Sequence, residues 1–261
     1  MKLRKHKIVL IGAGNVATQL GLAFKEKGFC IEQVYSRTLE SAKELGLLLN
    51  TQYTTDLNDL VTDADIYIFS VKDSVLPDLL KQLPSLQGLL LHTAGSIPLT
   101  VFETTQFPRH GVFYPLQTFS KARKVSFEEI PIFVEANNKE DEDLLEELAS
   151  ELSKTAIRLS SEKREYLHLA AVFACNFANH MYVCATDILE KEGLSKNYLL
   201  PLIEETATKI KDMSPLKAQT GPAIRYDVNV INHHLRLLED NLQKKELYEL
   251  ISKSIHESAK S

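Results

Sequence analysis

The chain predicts an α/β fold joined to an all-α one: a doubly wound, mostly parallel sheet over residues 1–157, then a helical domain over 158–261. Three observations carry this. The first stretch reads strand, glycine turn, helix, strand. Short buried-strand patterns recur up to about residue 159. After Ser160 they stop and helical patterns take over.

Ile8, Val9, Leu10 and Ile11 form a continuous apolar run, as expected of a strand buried on both faces. GAGNVA follows at 12–17, a G-x-G-x-x-A turn. Its first glycine permits the tight turn, its second lets a pyrophosphate approach the backbone, and the small third residue lets helix and strand pack. Exposed N–H groups and the helix dipole favour an anion there. Ala17, Leu20, Gly21 and Phe24 give an amphipathic helix, Gly28 a stop, and Cys30 to Tyr35 a second strand. A glycine turn in this context points to a dinucleotide, with Gly12, Gly14, Asn15 and Val16 against its phosphates.

The second strand ends in Ser36-Arg37-Thr38. An acid at this point would hold a ribose 2′-hydroxyl; an arginine with two hydroxyls suits a 2′-phosphate. The residues therefore favour NADP(H) over NAD(H).

Thr38 is placed to cap a helix over 39–49, and a short strand over 51–54 and a short helix over 56–61 follow. Residues 65–71 read as a strand running into Lys72, and 88–91 as another running into His92-Thr93-Ala94-Gly95-Ser96. Strand ends of open α/β sheets face the ligand crevice, which brings Val71, His92, Ala94 and Gly95 to the cofactor and Lys72 to substrate. His92 reads equally as a core histidine. Arg109 to Phe119 reads as a strand entering a loop, with Tyr114, Gln117 and Thr118 at the crevice end and His110 at the far end. A strand over 131–135, an acidic helix over 140–153 and an edge strand over 155–159 complete the half.

Composition excludes several classes. Hydrophobic and charged shares of 44% and 25% are those of an ordinary globular protein. A net charge of −5 without a long basic run argues against nucleic acid. Three scattered cysteines without C-x-x-C indicate neither a disulfide framework nor a metal site. Without a signal-peptide pattern or membrane-length apolar run, a cytoplasmic location and no membrane partner are expected.

In the second half, Leu167 to Leu189 is apolar on nearly every side, which predicts one helix buried in a core or between subunits. His168, Asn176, Asn179 and His180 interrupt it and fall on one side at helical spacing. They either satisfy one another or face a ligand. A helix over 196–211 follows, then a Gly-Pro turn at 221–222 that places Arg225 near Asp227, then helices over 228–242 and 247–256. Arg225 suits a substrate carboxylate, or else a local pair with Asp227.

GAGNVA at 12–17, SRT at 36–38, HTAGS at 92–96, GVFYPLQTF at 111–119, HLAAVFACNF at 168–177 and TGPAIRYD at 220–227 together resemble the Rossmann-like family carrying the domain of unknown function 2520. That family is similar to pyrroline-5-carboxylate reductase and 6-phosphogluconate dehydrogenase. The resemblance implies an NADP-linked oxidoreductase, dimeric through its helical domain. Dehydrogenases of the 6-phosphogluconate group place a lysine one turn before the asparagine aligned with Asn176; here that position is Val172. His168 takes its place as catalytic residue, because its titration range suits proton transfer at neutral pH. Asn176 would orient substrate, and Lys72, Asn179 and Arg225 would bind it. The expected reaction moves hydride between NADP(H) and a small carbonyl or imino acid; the alternative is a non-catalytic NADP(H)-binding redox sensor or assembly protein.

Overall fold

A computed structural model describes residues 6–260 and builds one eight-stranded sheet followed by helices. Strands β1 (Lys7–Ile11), β2 (Cys30–Tyr35), β3 (Gln52–Thr54), β4 (Ile66–Phe69), β5 (Leu89–His92), β6 (His110–Pro115), β7 (Ile132–Ala136) and β8 (Ala156–Arg158) take the order β3-β2-β1-β4-β5-β6-β7-β8. Every neighbouring pair is parallel except β6 and β7. The order reverses between β1 and β4, and that is where such sheets open a ligand crevice.

The period of two in β1 explains its burial. Ile8 and Leu10 join one core with Leu20, Phe24, Leu45 and Leu148; Val9 and Ile11 join the other with Phe69, Leu79 and Phe102. Helices α1 (Asn15–Glu26), α2 (Leu39–Leu49) and α4 (Lys139–Leu152) supply the first layer, and the short α3 (Leu76–Leu80) the second. The acidic α4 is less solvated than its composition suggests. Asn138 Oδ1 accepts from the Asp141 N–H at 2.8 Å, and Asp141 itself is buried against Arg109.

The stretch expected as one helix, covered in a core or between subunits, is not a single α-helix. It comprises the end of α5 (Ser161–Ala171), a π-helical segment Val172–Phe177, and most of α6 (Ala178–Lys191). Its side chains stay largely exposed in the single chain, Phe173 by 64% and Val183 by 47%. An all-apolar surface states a need for cover without supplying it. The π turn also carries extra residues around the axis, so spacings of 3.6 do not hold from His168 to Asn179.

By packing, the chain divides into Met1–Cys175 and Asn176–Ser261. Strand patterns end at Arg158, yet α5 packs with the sheet, because its first turns are bonded to β7 and to the segment after β5. The second unit holds α6, α7 (Leu200–Lys209), the one-turn α8 (Pro215–Ala218) and α9 (Pro222–Arg225), α10 (Val228–Leu237) and α11 (Leu242–Ser258). The penultimate helix stops at Leu237, because Asn241 Oδ1 caps the next one at the Lys244 N–H. Among the described residues no helix is long and apolar enough to cross a membrane.

Candidate active site

The nucleotide end is built by β1, its turn and α1. Gly12 has φ +114°, and a Cβ there would strike the Ser70 carbonyl of the neighbouring strand end. At Gly14, by contrast, an added Cβ would meet nothing within 4 Å. That open space lies over a helix start with no side-chain cap and no acidic residue in its first turn. Gly14, Asn15 and Val16 thus leave donors and room for an anion, so a pyrophosphate fits. Asn15 Oδ1 also accepts from the Lys121 N–H at 3.2 Å, and Gln19 Nε2 donates to the Ser120 carbonyl at 2.7 Å. These bonds pin the loop after β6 to α1, an arrangement with no local signal.

At the end of β2, Ser36 is half-buried, while Arg37 and Thr38 are exposed as α2 begins. Arg37 forms no ion pair among the described residues, and its guanidinium is available.

The ends of β4, β5 and β6 form the other half. Thr93 Oγ1 donates to Ser70 Oγ at 3.2 Å, joining the first two. Val71 is half-buried and Lys72 exposed, the latter in a turn closed by Val75 N–H to the Lys72 carbonyl. Ser96 Oγ donates to Asp73, drawing the next loop across.

His92 requires correction. It is fully buried, stacks on Phe102 at 5.7 Å between ring centroids, and accepts the Ala94 N–H at Nδ1. Burial, reinforced by the Arg164 charge, pushes its pKa down to about 3. It is a neutral core histidine that shapes the loop from beneath, and direct cofactor contact is closed to it. Of the loop's next residues, Ala94 is half-buried and Gly95 buried.

Against Gly95 lies His168. A Cβ on Gly95 would stand 2.5 Å from His168 Nδ1, so the glycine is what admits the ring. Tyr114, at the end of β6, meets the same nitrogen with its hydroxyl at 2.9 Å. His168 is half-buried and lies two turns into α5.

What holds α5 there was missed in the sequence. Arg164, one turn before His168, is fully buried. Its Nη1 donates to Glu135 Oε2 at 2.6 Å and its Nη2 to the Ile97 carbonyl at 2.6 Å. Ser161 joins the clamp: its N–H and Oγ both donate to Glu135, at 3.0 and 2.7 Å, and its Oγ accepts the Leu99 N–H at 2.8 Å. The helix, β7 and the loop after β5 are thereby one rigid piece. The available signal was an i, i+4 spacing from Arg164 to His168.

Asn176, Asn179 and Arg225 belong to the second unit and are exposed there. The alternative Arg225–Asp227 pair is absent among the described residues; Asp227 Oδ1 caps α10 at the Val230 N–H. That unit contains an apolar cavity of about 300 Å³ lined by Met181, Ile188, Leu247, Ile251 and Ile255. Among the described residues no group of three His, Cys, Asp or Glu side chains could hold a metal.

Sheet order, glycine cradle and strand ends together define a Rossmann-type dinucleotide-binding fold. The chain belongs to the family of NADP-linked oxidoreductases with a domain of unknown function 2520. Residues 7–91 match the family described as NADP oxidoreductase, coenzyme F420-dependent, and residues 130–255 match domain of unknown function 2520. A Bacteroides fragilis protein described as an NADP oxidoreductase is 52% identical over 98% of this chain and 99% of its own, with a TM-score of 0.93. Pyrroline-5-carboxylate reductase from Streptococcus pyogenes shares the fold at 17% identity, covering 97% of this chain and 99% of that one, TM-score 0.63. An imine reductase from Myxococcus stipitatus, in complex with NADP+, does so at 15%, covering 97% and 93%, TM-score 0.66. No curated sequence matches the chain.

Proposed function

We propose that the chain is an NADP(H)-dependent oxidoreductase acting on a small carbonyl or imino acid, with His168 as its acid/base group. The observation that supports this most is the His168 ring at the ends of β5 and β6, seated on Gly95 and bonded to Tyr114. When bound, the nicotinamide would supply the hydride. The chain's own residues bind, orient and move a proton. The N–H groups at the start of α1 would receive the pyrophosphate; Ser36, Arg37 and Thr38 the 2′-phosphate; Val71, Ala94 and Gly95 would border the rest. The exposed Lys72 ammonium would attract a substrate carboxylate. The two fold relatives that reduce C=N bonds agree with an imine substrate. The test is a screen of imino and 2-oxo acids followed by loss of NADPH absorbance. Tight NADPH binding without turnover of any of them would replace this reading with a non-catalytic NADPH-binding role.

Cofactor choice gives a sharper expectation. Arg37→Asp removes the phosphate partner and adds a repelling charge, so NADPH binding should weaken by about 2–3 kcal/mol, the scale of a charged hydrogen-bond partner lost. NADH binding should change little. Equal losses in calorimetric titrations of both would sink the 2′-phosphate assignment.

We further infer a homodimer formed through the helical unit. Tyr182, Val183 and Ile188 of α6 and Leu200 and Leu202 of α7 are each at least 40% exposed, more apolar surface than a lone chain keeps in water. Sedimentation at micromolar concentration should show a dimer, and a monomer there would contradict the inference.

A further inference from the structure

We infer that Tyr114 is a positioning residue that sets which nitrogen of His168 carries hydrogen, so that the ring offers Nε2–H to the substrate's carbonyl oxygen or imine nitrogen. This rests on His168 being the working acid of the proposed function.

The geometry is asymmetric. Both Tyr114 and Gly95 meet the Nδ1 edge of the ring, which leaves Nε2 as the free nitrogen. Tyr114 is only 8% exposed, and among the described residues its hydroxyl has one hydrogen-bond partner, His168 Nδ1. If a neutral ring carried its hydrogen on Nδ1 and donated it to the phenol oxygen, the hydroxyl hydrogen would be left without an acceptor among the described residues. The reverse arrangement satisfies it: the O–H donates, Nδ1 accepts, and the ring's one hydrogen sits on Nε2. Burial also holds the phenol's proton more firmly than in water, so Tyr114 stays a hydroxyl and is no proton source.

A hydroxyl differs here from a carboxylate. A carboxylate only accepts, so it would draw hydrogen to Nδ1 and leave Nε2 bare, as a base. A hydroxyl can turn. When the ring is doubly protonated, Tyr114 accepts from Nδ1–H and Nε2–H is still presented. Nε2 therefore carries hydrogen in both states, which suits reduction. In that direction a bound reduced nicotinamide would supply hydride to the substrate's C=O or C=N carbon. The substrate's oxygen or nitrogen takes the Nε2 proton of the imidazolium as that N–H bond breaks. The neutral ring is left donating Nδ1–H to Tyr114 until solvent exchange restores the resting tautomer.

The test is nitrogen NMR of the full chain with labelled histidine. The chain has 8 histidines, and the signal lost in His168→Gln assigns the ring. At a pH where that ring is neutral, Nδ1 should resonate as a bare acceptor and Nε2 as a protonated nitrogen. Tyr114→Phe should shift both toward a mixture of tautomers. It should also lower kcat, by less than the roughly 10²–10⁴-fold that the general acid itself contributes, with KM for NADPH and the urea midpoint unchanged. A neutral ring protonated at Nδ1, or Tyr114→Phe with unaltered His168 shifts or unaltered kcat, would overturn the inference. The spectra decide it even if no substrate turns over, which is the outcome that counts against the proposed function instead.

Discussion

His168→Ala should lower turnover by roughly 10²–10⁴, the share one general acid/base contributes, with NADPH affinity almost unchanged. The two effects separate because the groups that would hold the cofactor's phosphates lie elsewhere, at the start of α1 and the end of β2. His168→Gln is the informative companion. Its amide oxygen can accept from the Tyr114 hydroxyl, and the side chain fits against Gly95, but it cannot deliver a proton. It should fold like the parent and be nearly as slow as the alanine variant. Stopped-flow measurement of NADPH oxidation at saturating substrate would distinguish the steps. Should His168→Ala unfold the protein while His168→Gln keeps full turnover, the histidine is a structural hydrogen-bonding residue and the acid must be sought elsewhere.

The parts of this site differ in how far they could be read from the residues alone, and the difference is one of range. The cradle at 12–17 and the phosphate corner at 36–38 are local. Turn, helix start and strand end lie within one supersecondary unit, and β1, α1 and β2 occupy nearly the residues the pattern predicts. Strand ends at 70–72 and 92–96 follow from the rule that parallel sheets open at their carboxyl edge. His168 could be singled out as a polar residue in an apolar stretch, but not its setting. The contacts that define that setting, to Tyr114 and Gly95, cross much of the chain. The reading of residues 167–189 as one helix failed at the π-helical segment, and its cover, a core or a second subunit, stayed open. Nothing in a run of small and apolar residues announces a π turn, and apolar content cannot say whether the cover comes from the same chain. His92 was the mirror case. A histidine at a strand end has the signature of a site residue, and only the ring of Phe102 packed on it reveals a core position. Arg164 drew no reading at all, since nothing local marks a buried arginine; its partners Glu135 and Ile97 come from β7 and the loop after β5.

That buried arginine sets the second large effect. Arg164→Met should destabilise the first unit by about 3–5 kcal/mol, the usual cost of removing one member of a buried ion pair. Glu135 then keeps only the Ser161 donors, and the Ile97 carbonyl loses its Nη2 donor. The chain contains no tryptophan, so urea unfolding is best followed by circular dichroism. Arg164→Lys should recover little, because one ammonium cannot reach Glu135 and the Ile97 carbonyl with the forked geometry of a guanidinium. The double variant Arg164→Met, Glu135→Gln is the control that separates pairing from packing. With no charge left unpaired, it should regain a large part of the loss. Its α5 would still lack the Arg164 bond to the Ile97 carbonyl. Recovered stability with turnover that stays low would mean that the clamp holds His168 over Gly95 rather than merely holding the fold together. If Arg164→Met instead unfolds at the same urea concentration as the parent, the desolvation of the pair cancels its attraction, and α5 is anchored by the Ser161 bonds and its apolar contacts.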